Sequence, residues 1–246
     1  PPETPPETPP ETPPETHSQA SSGVELLVVV ALRAELQGIA RGLRLHRSDA
    51  DRDADAARRV QAVCVGPGAA AGAATRRWLA ELRPRRVLHA GYCGGLEASL
   101  APGAAVRAGR VVSDTTGDAI ELDAGDALLV TTAKPVLTPA GKLRLAERWH
   151  AAAVDTESYC VASACREAGV PCEVVRAVTD TAGESLDPAI AELVDASGRT
   201  RPLAVLRLAL TRPALLPRLA RLGRQSRRAD ATLAACAEAA FDRIKG

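Results

Sequence analysis

Four short stretches of this sequence carry residue types able to do chemistry. They are Ala31-Leu32-Arg33-Ala34-Glu35, Gly91-Tyr92-Cys93-Gly94-Gly95, Val154-Asp155-Thr156-Glu157-Ser158 and Arg176-Ala177-Val178-Thr179-Asp180. Each follows or closes a run of apolar residues. Between them they offer four carboxylates, of which Glu35, Glu157 and Asp180 are the candidates for chemistry, two guanidiniums, at Arg33 and Arg176, and a glycine-rich loop. A carboxylate can take or give a proton at a reacting group, which is worth on the order of 100- to 10,000-fold in rate. It can also grip a pair of hydroxyls, and glycines let the backbone approach a ligand closely. Each feature has a purely structural alternative. Asp180 caps a turn before Ala182-Gly183; Glu157 is a first-turn acid favoured by a helix N-terminus; Glu35 is an outward position on an amphipathic helix; the glycines make a tight strand-to-helix connection.

The surrounding pattern says what positions these stretches. Val24–Ala31 (VELLVVVA), Val60–Val65 (VQAVCV), Arg86–Ala90 (RVLHA) and Cys172–Thr179 (CEVVRAVT) are short, nearly continuous apolar runs, the mark of strands buried on both faces. Further strands are expected at 104–113, 127–133 and 152–154. Helical spacing is read over Leu32–Gly42, from the Ala-rich stretch after Gly66-Pro67-Gly68 to Leu82, over Gly141–His150 and Glu157–Ala168, and through most of the chain beyond Pro188. Residues 46–59, dense in Asp and Arg, read as a loop or an exposed helix. Strands alternating with helices predict an α/β fold, a three-layer α/β/α arrangement around a central twisted, mostly parallel sheet. In such sheets ligands sit at the carboxyl ends of strands, where all four stretches fall.

At this point the residues resemble a known family. AGYCGGL followed by APGAAV resembles the glycine-rich loop of the nucleoside phosphorylase and nucleosidase superfamily. VDTESYCVA is similar to its ribose-binding segment, VVRAVTDTA to its base-binding strand end, and ALRAEL to the first loop of the methylthioadenosine/S-adenosylhomocysteine nucleosidases. The resemblance runs from about Val24 to Asp180, with the four motifs in the family's order. It implies that Asp180 supports protonation of purine N7, that Glu157 binds the ribose hydroxyls and that Glu35 activates water. It further implies that Thr156, Thr179, Cys93, Gly94 and Gly95 line the substrate. Breaking a C–N glycosidic bond builds positive charge on the sugar and negative charge on the base, which suits a carboxylate at the ribose and an acid at the base. The nucleophile is left open between water, activated by Glu35, and phosphate as co-substrate, bound by Arg33. No metal or redox cofactor is implied. Thr156 stands where the family has Met, Tyr92-Cys93 replace smaller residues, and no Phe precedes Glu157.

The segment from Leu186 to Ala229 resembles the tail of the hopanoid-associated phosphorylases. That branch implies removal of adenine from an adenosyl-hopane during bacteriohopanepolyol synthesis. The alternatives are a methylthioadenosine/S-adenosylhomocysteine nucleosidase and a nucleoside-binding protein without catalysis. The expected partner is a small-molecule nucleoside, lipid-linked in the first case, and the expected assembly is a homodimer. With 31 basic and 30 acidic residues the formal net charge is +1, which leaves no global field to draw nucleic acid. The charge is uneven: residues 199–228 are rich in Arg and hold no acid, which suits a peripheral membrane contact or a solvated helix face. None of the six cysteines falls in a C-x-x-C pair, so free thiols in a reducing cytoplasm are expected. Residues 1–23, four Pro-Pro-Glu-Thr repeats and a polar linker, are expected to be a disordered arm. Residues 24–246 are expected to form a single domain, with a helical C-terminal extension from about 188.

Overall fold

The computed structural model describes residues 23–57, 59–191 and 193–245, so most of the expected N-terminal arm lies outside the described residues. In chain order the elements are β1 (Leu26–Val30), α1 (Arg33–Gly42), β2 (His46–Asp49), β3 (Arg52–Ala54), β4 (Val60–Cys64), α2 (Ala70–Leu82), β5 (Arg86–Gly95), β6 (Ala105–Ser113), β7 (Ala119–Glu121), β8 (Ala127–Thr131), α3 (Pro139–Trp149), β9 (Ala153–Asp155), α4 (Ser158–Glu167), β10 (Cys172–Asp180), α5 (Pro188–Ala191), α6 (Pro202–Thr211), a 3-10 turn at Pro213–Leu215 and α7 (Leu216–Lys245).

The fold is α/β with three layers. β1 lies centrally, parallel to both β4 and β5, and all five of its residues are buried. Its side chains alternate between the two faces, as a period of two requires. Leu26, Val28 and Val30 pack with Leu36 and Ile39 of α1 and with Ala229, Leu233 and Ala237 of α7. Leu27 and Val29 pack on the other side with Ala71, Trp78 and Leu79 of α2 and Val161 and Ala164 of α4. Burying both faces explains why β1 reads as an unbroken aliphatic run.

One feature differs from the sequence reading and two add to it. First, the sheet is mixed. β1–β4, β1–β5, β5–β10, β6–β8 and β8–β9 are parallel, but β10–β6, β5–β9, β6–β7, β3–β4 and β2–β3 are antiparallel. The pairings also close a ring, β5–β10–β6–β8–β9 and back to β5. Second, residues 46–54 are a β-hairpin that extends the sheet beyond β4. β2 is exposed throughout. An edge hairpin is held by backbone hydrogen bonds, so its polar side chains hide it from a pattern search. Third, α7 joins the main core, where Ala229, Leu233, Ala237 and Ala240 are buried.

Candidate active site

β5, β9 and β10 end at one place, and their terminal residues form a single cleft. A cavity of about 140 Å³ is lined by Tyr92, Cys93, Gly94, Thr132, Pro135, Val136, Val154, Asp155, Thr156, Glu157, Thr179, Asp180 and Leu186. A second cavity, of about 290 Å³, shares Asp180 and Leu186 as its wall and continues toward Arg218, Arg221 and Gln225 of α7.

Glu35 stands behind the Tyr92 end of the cleft. Leu32, at the start of α1, has no side-chain oxygen to satisfy the free N–H groups there, and the Glu35 carboxylate turns back to do so. Its Oε2 accepts from the N–H of Leu32 at 2.8 Å and of Ala31 at 3.1 Å, and its Oε1 from the N–H of Tyr92 at 2.7 Å. Buried to 2% exposure, it is pushed up from 4.5 to about 7. Loss of water drives the shift, and the Arg176 charge and the backbone donors oppose it. Oε1 accepts a single bond and keeps a lone pair free.

Glu157 sits at the N-terminus of α4. Its Oε1 accepts the N–H of Gly68 at 2.8 Å and the Thr156 hydroxyl, which leaves Oε2 for a ligand. Gly68 holds φ at +74°, in the left-handed region that glycine enters freely, and so aims its N–H at Glu157. The turn Gly66-Pro67-Gly68 therefore serves the site by orienting a side chain. Burial, and then the neighbouring Asp155, raise the Glu157 carboxyl above its usual range.

Asp180 closes β10. Its Oδ1 lies 2.9 Å from the Thr179 hydroxyl, which is also 3.2 Å from the Cys93 carbonyl. Its Oδ2 accepts from the Nζ of Lys142 at 2.5 Å. Gly94 lines the cleft and faces Val154 in register, while Gly95 pairs with Ala153 one residue beyond the cavity wall. Burial keeps the Cys93 thiol protonated, with its proton held far more tightly than usual. The Tyr92 hydroxyl donates to Asp230 of α7 at 2.5 Å and so ties the glycine loop to the C-terminal helix.

Beneath the acids lies a buried network that the sequence reading did not assign to the site. Arg176, with no exposed surface, reaches Asp155 Oδ2 at 2.5 Å and Ser158 Oγ at 2.9 and 3.1 Å, and its Nη2 bonds the Nε2 of His89. His89 is held neutral by burial and by the Arg176 charge, and its Nδ1 lies 2.9 Å from the Val29 carbonyl. Nδ1 is then the donor and Nε2 the acceptor. Nη1 of Arg176 is buried without a hydrogen-bond partner. A Cβ on Gly91 would strike that nitrogen and lie 3.0 Å from Glu35 Oε1, so glycine there lets cation and carboxylate flank one point of the backbone. Asp155 is saturated by Thr131, Ser158 and Arg176, and is a structural acid. The one signal for Arg176 was a charged residue inside an otherwise apolar strand. Lys142 gave no signal, because nothing in its helix distinguishes it from neighbouring polar positions.

Arg33 does not line the cleft. It faces a separate groove with Gln37, Arg41 and Arg47, between α1 and the β2–β3 hairpin, with Asp51 at 3.9 Å. Among the described residues no cluster of three or more His, Cys, Asp or Glu could hold a metal ion. No described helix is long and apolar enough to cross a membrane.

With this geometry in view, the comparisons are informative. Residues 122–211 match the model of the Phosphorylase superfamily. No curated protein matches the sequence. Among solved structures, the chain is similar to the Helicobacter pylori 5'-methylthioadenosine/S-adenosyl homocysteine nucleosidase, with a TM-score of 0.66 at 16% identity, covering 90% of this chain and 99% of that one. It is similar to the futalosine hydrolase of Helicobacter pylori, with a TM-score of 0.65 at 15% identity over 89% and 98% of the two chains. A Colwellia psychrerythraea nucleosidase solved with adenine gives a TM-score of 0.57 at 20% identity over 66% and 84%. The fold is thus the α/β fold of the nucleoside phosphorylases and nucleosidases.

Proposed function

We propose that this chain hydrolyses the N-glycosidic bond of a purine nucleoside, an adenosyl compound, and releases the base. The observation that carries the reading is that Glu157 and Asp180 line one cleft while Glu35, from a third distant part of the chain, holds the backbone N–H of Tyr92 in its wall. Glu157 Oε2 takes the ribose hydroxyls and favours the cationic sugar. Water attacks the anomeric carbon, and Glu35 takes its proton. Asp180 serves the departing base at N7, against an apolar wall of Pro135, Val136, Val154 and Leu186. The similar structures are nucleosidases and hydrolases by name, which supports the same class of substrate.

Water is favoured over phosphate because none of the residues lining the 140 Å³ cavity is Arg or Lys: Arg33 faces another groove, and Arg218 and Arg221 line only the adjoining cavity. A doubly charged anion would need cations or a set of backbone donors there.

A finer reading concerns the 5'-substituent. α6 exposes Leu203, Leu206 and Leu210 at 81%, 55% and 74%, spaced along one face, with Arg201, Arg207 and Arg212 exposed beside them. Such a face suits an anionic lipid surface. This favours a lipid-linked adenosyl substrate, as the hopanoid-type tail implies, over a methylthioadenosine-type one.

The test is base release from several adenosyl nucleosides, with and without phosphate. Release independent of phosphate and abolished in Asp180→Asn is expected. Strict dependence on phosphate overturns the choice of water. Tight nucleoside binding with no base released over long incubation makes the chain a binding protein.

A further inference from the structure

Lys142 is the least expected residue in the core. The chain has only three lysines, Lys134, Lys142 and Lys245, among 31 basic residues. Lys142 has no exposed surface, although it lies on α3 between the exposed positions Ala140 and Leu143. Its Nζ donates to Asp180 Oδ2 at 2.5 Å, to the carbonyl of Thr181 at 2.5 Å and to the carbonyl of Glu184 at 3.3 Å. An ammonium has three N–H donors, and here each has an oxygen. A guanidinium is planar and larger, and cannot bring three donors to one point in this way. The Glu184 carboxylate is turned elsewhere, to the Thr181 N–H, to Gln225 and to Arg221. Among the described residues, Asp180 is therefore the only carboxylate that Nζ touches.

Stability is a weak reason for this arrangement. Taking an ammonium and a carboxylate out of water costs several kcal/mol per ion, and well-packed apolar residues commonly do as well or better. Asp180 also sits on the wall shared by the two cavities, where the base of a nucleoside would lie, with Lys142 buried behind it.

We propose that Lys142 is the resting store of the proton that the departing base takes up, passed to it through the carboxyl of Asp180. This rests on the nucleosidase reading above. At rest the pair is an ammonium and a carboxylate, so Asp180 has no proton of its own to give. As the C–N bond breaks, its electron pair passes to the purine ring. Nζ passes a proton to the Asp180 carboxylate, and the carboxyl so formed passes its proton to N7. Water adds to the anomeric carbon and yields its proton to Glu35. Lys142 is left as a neutral amine, still held by Asp180, and regains its proton once the base leaves and solvent enters. Lys142 acts only through Asp180 and is a positioning residue as well as a proton source.

The experiment compares leaving groups. Lys142→Met should lower kcat on a purine nucleoside on the order of 100- to 10,000-fold, the usual worth of a proton delivered in the transition state. A nitrophenyl riboside, whose leaving group departs as a stable anion, should lose far less. Equal losses on both substrates, or no loss on either, overturn the proposal. A wild-type protein that cleaves the nitrophenyl riboside but no purine nucleoside overturns it too and leaves glycosidic chemistry standing. A wild type that cleaves neither sinks the nucleosidase reading itself. If Lys142→Met does not fold, the native protein decides the matter. With 15N-labelled lysine it has three side-chain signals, assigned through Lys134→Arg and Lys245→Arg. The Lys142 ammonium signal should shift when adenine is added, and an unmoved signal overturns the proposal.

Discussion

Glu35 offers the most direct test of the site, because one side chain governs both a rate and a stability. Its carboxyl is raised from 4.5 to about 7 by burial. A general base must be ionised, so kcat/KM should climb about tenfold per pH unit below 7 and level off near 8. Glu35→Gln, which cannot take the proton, should lose on the order of 100- to 10,000-fold at pH 8 and show no such limb. Glu157 is also raised, but Glu157→Gln should keep the limb while weakening binding. The stability effect has the opposite sign to the rate. The folded protein holds the proton more tightly than the unfolded chain, so this group's contribution is complete below about pH 4.5 and is lost as the pH rises through about 7. A shift of this size corresponds to about 3 kcal/mol, at roughly 1.4 kcal/mol per pKa unit. Between pH 5 and pH 8 the wild type should therefore lose about 2–3 kcal/mol more than Glu35→Gln. Base release followed by absorbance, and urea unfolding at the two pH values, measure both effects. A flat rate profile from pH 5.5 to 8, or a limb that survives in Glu35→Gln, would refute the assignment of Glu35 as base.

Two further outcomes are expected. Leu233 on α7 has no exposed surface and packs against α1 and the central strands, so Leu233→Ala should cost about 2–5 kcal/mol by calorimetry; a loss under about 1 kcal/mol would mean that α7 is not part of the core. Replacing Leu203, Leu206 and Leu210 of α6 with Ser should abolish pelleting with anionic liposomes and leave cleavage of a soluble nucleoside unchanged. A native protein that never pellets with such liposomes rules out the membrane contact.

The sequence determined a good deal of this molecule unaided. Runs such as LLVVV and VQAVC are legible as buried strands because a strand covered on both faces is apolar at nearly every position, Gln61 being the one polar residue in these two. The four strand-end motifs are legible because a cleft of this kind draws its residues from strand termini, and termini are marked by the break in the apolar run. What stayed hidden depended on contacts between distant segments. The β2–β3 hairpin is made by backbone bonds that side-chain pattern does not report. The ring closed by β5 and β9 depends on a two-residue pairing of Gly94-Gly95 with Val154 and Ala153, which has no local signature. Lys142 looks like any surface cation, and Arg176 like a lone charge in an apolar strand, until the fold buries them beside carboxylates, Asp180 in one case and Asp155 in the other. Only the tertiary structure could decide that, since the free energy of a buried charge is set by partners that lie 38 and 21 residues away along the chain.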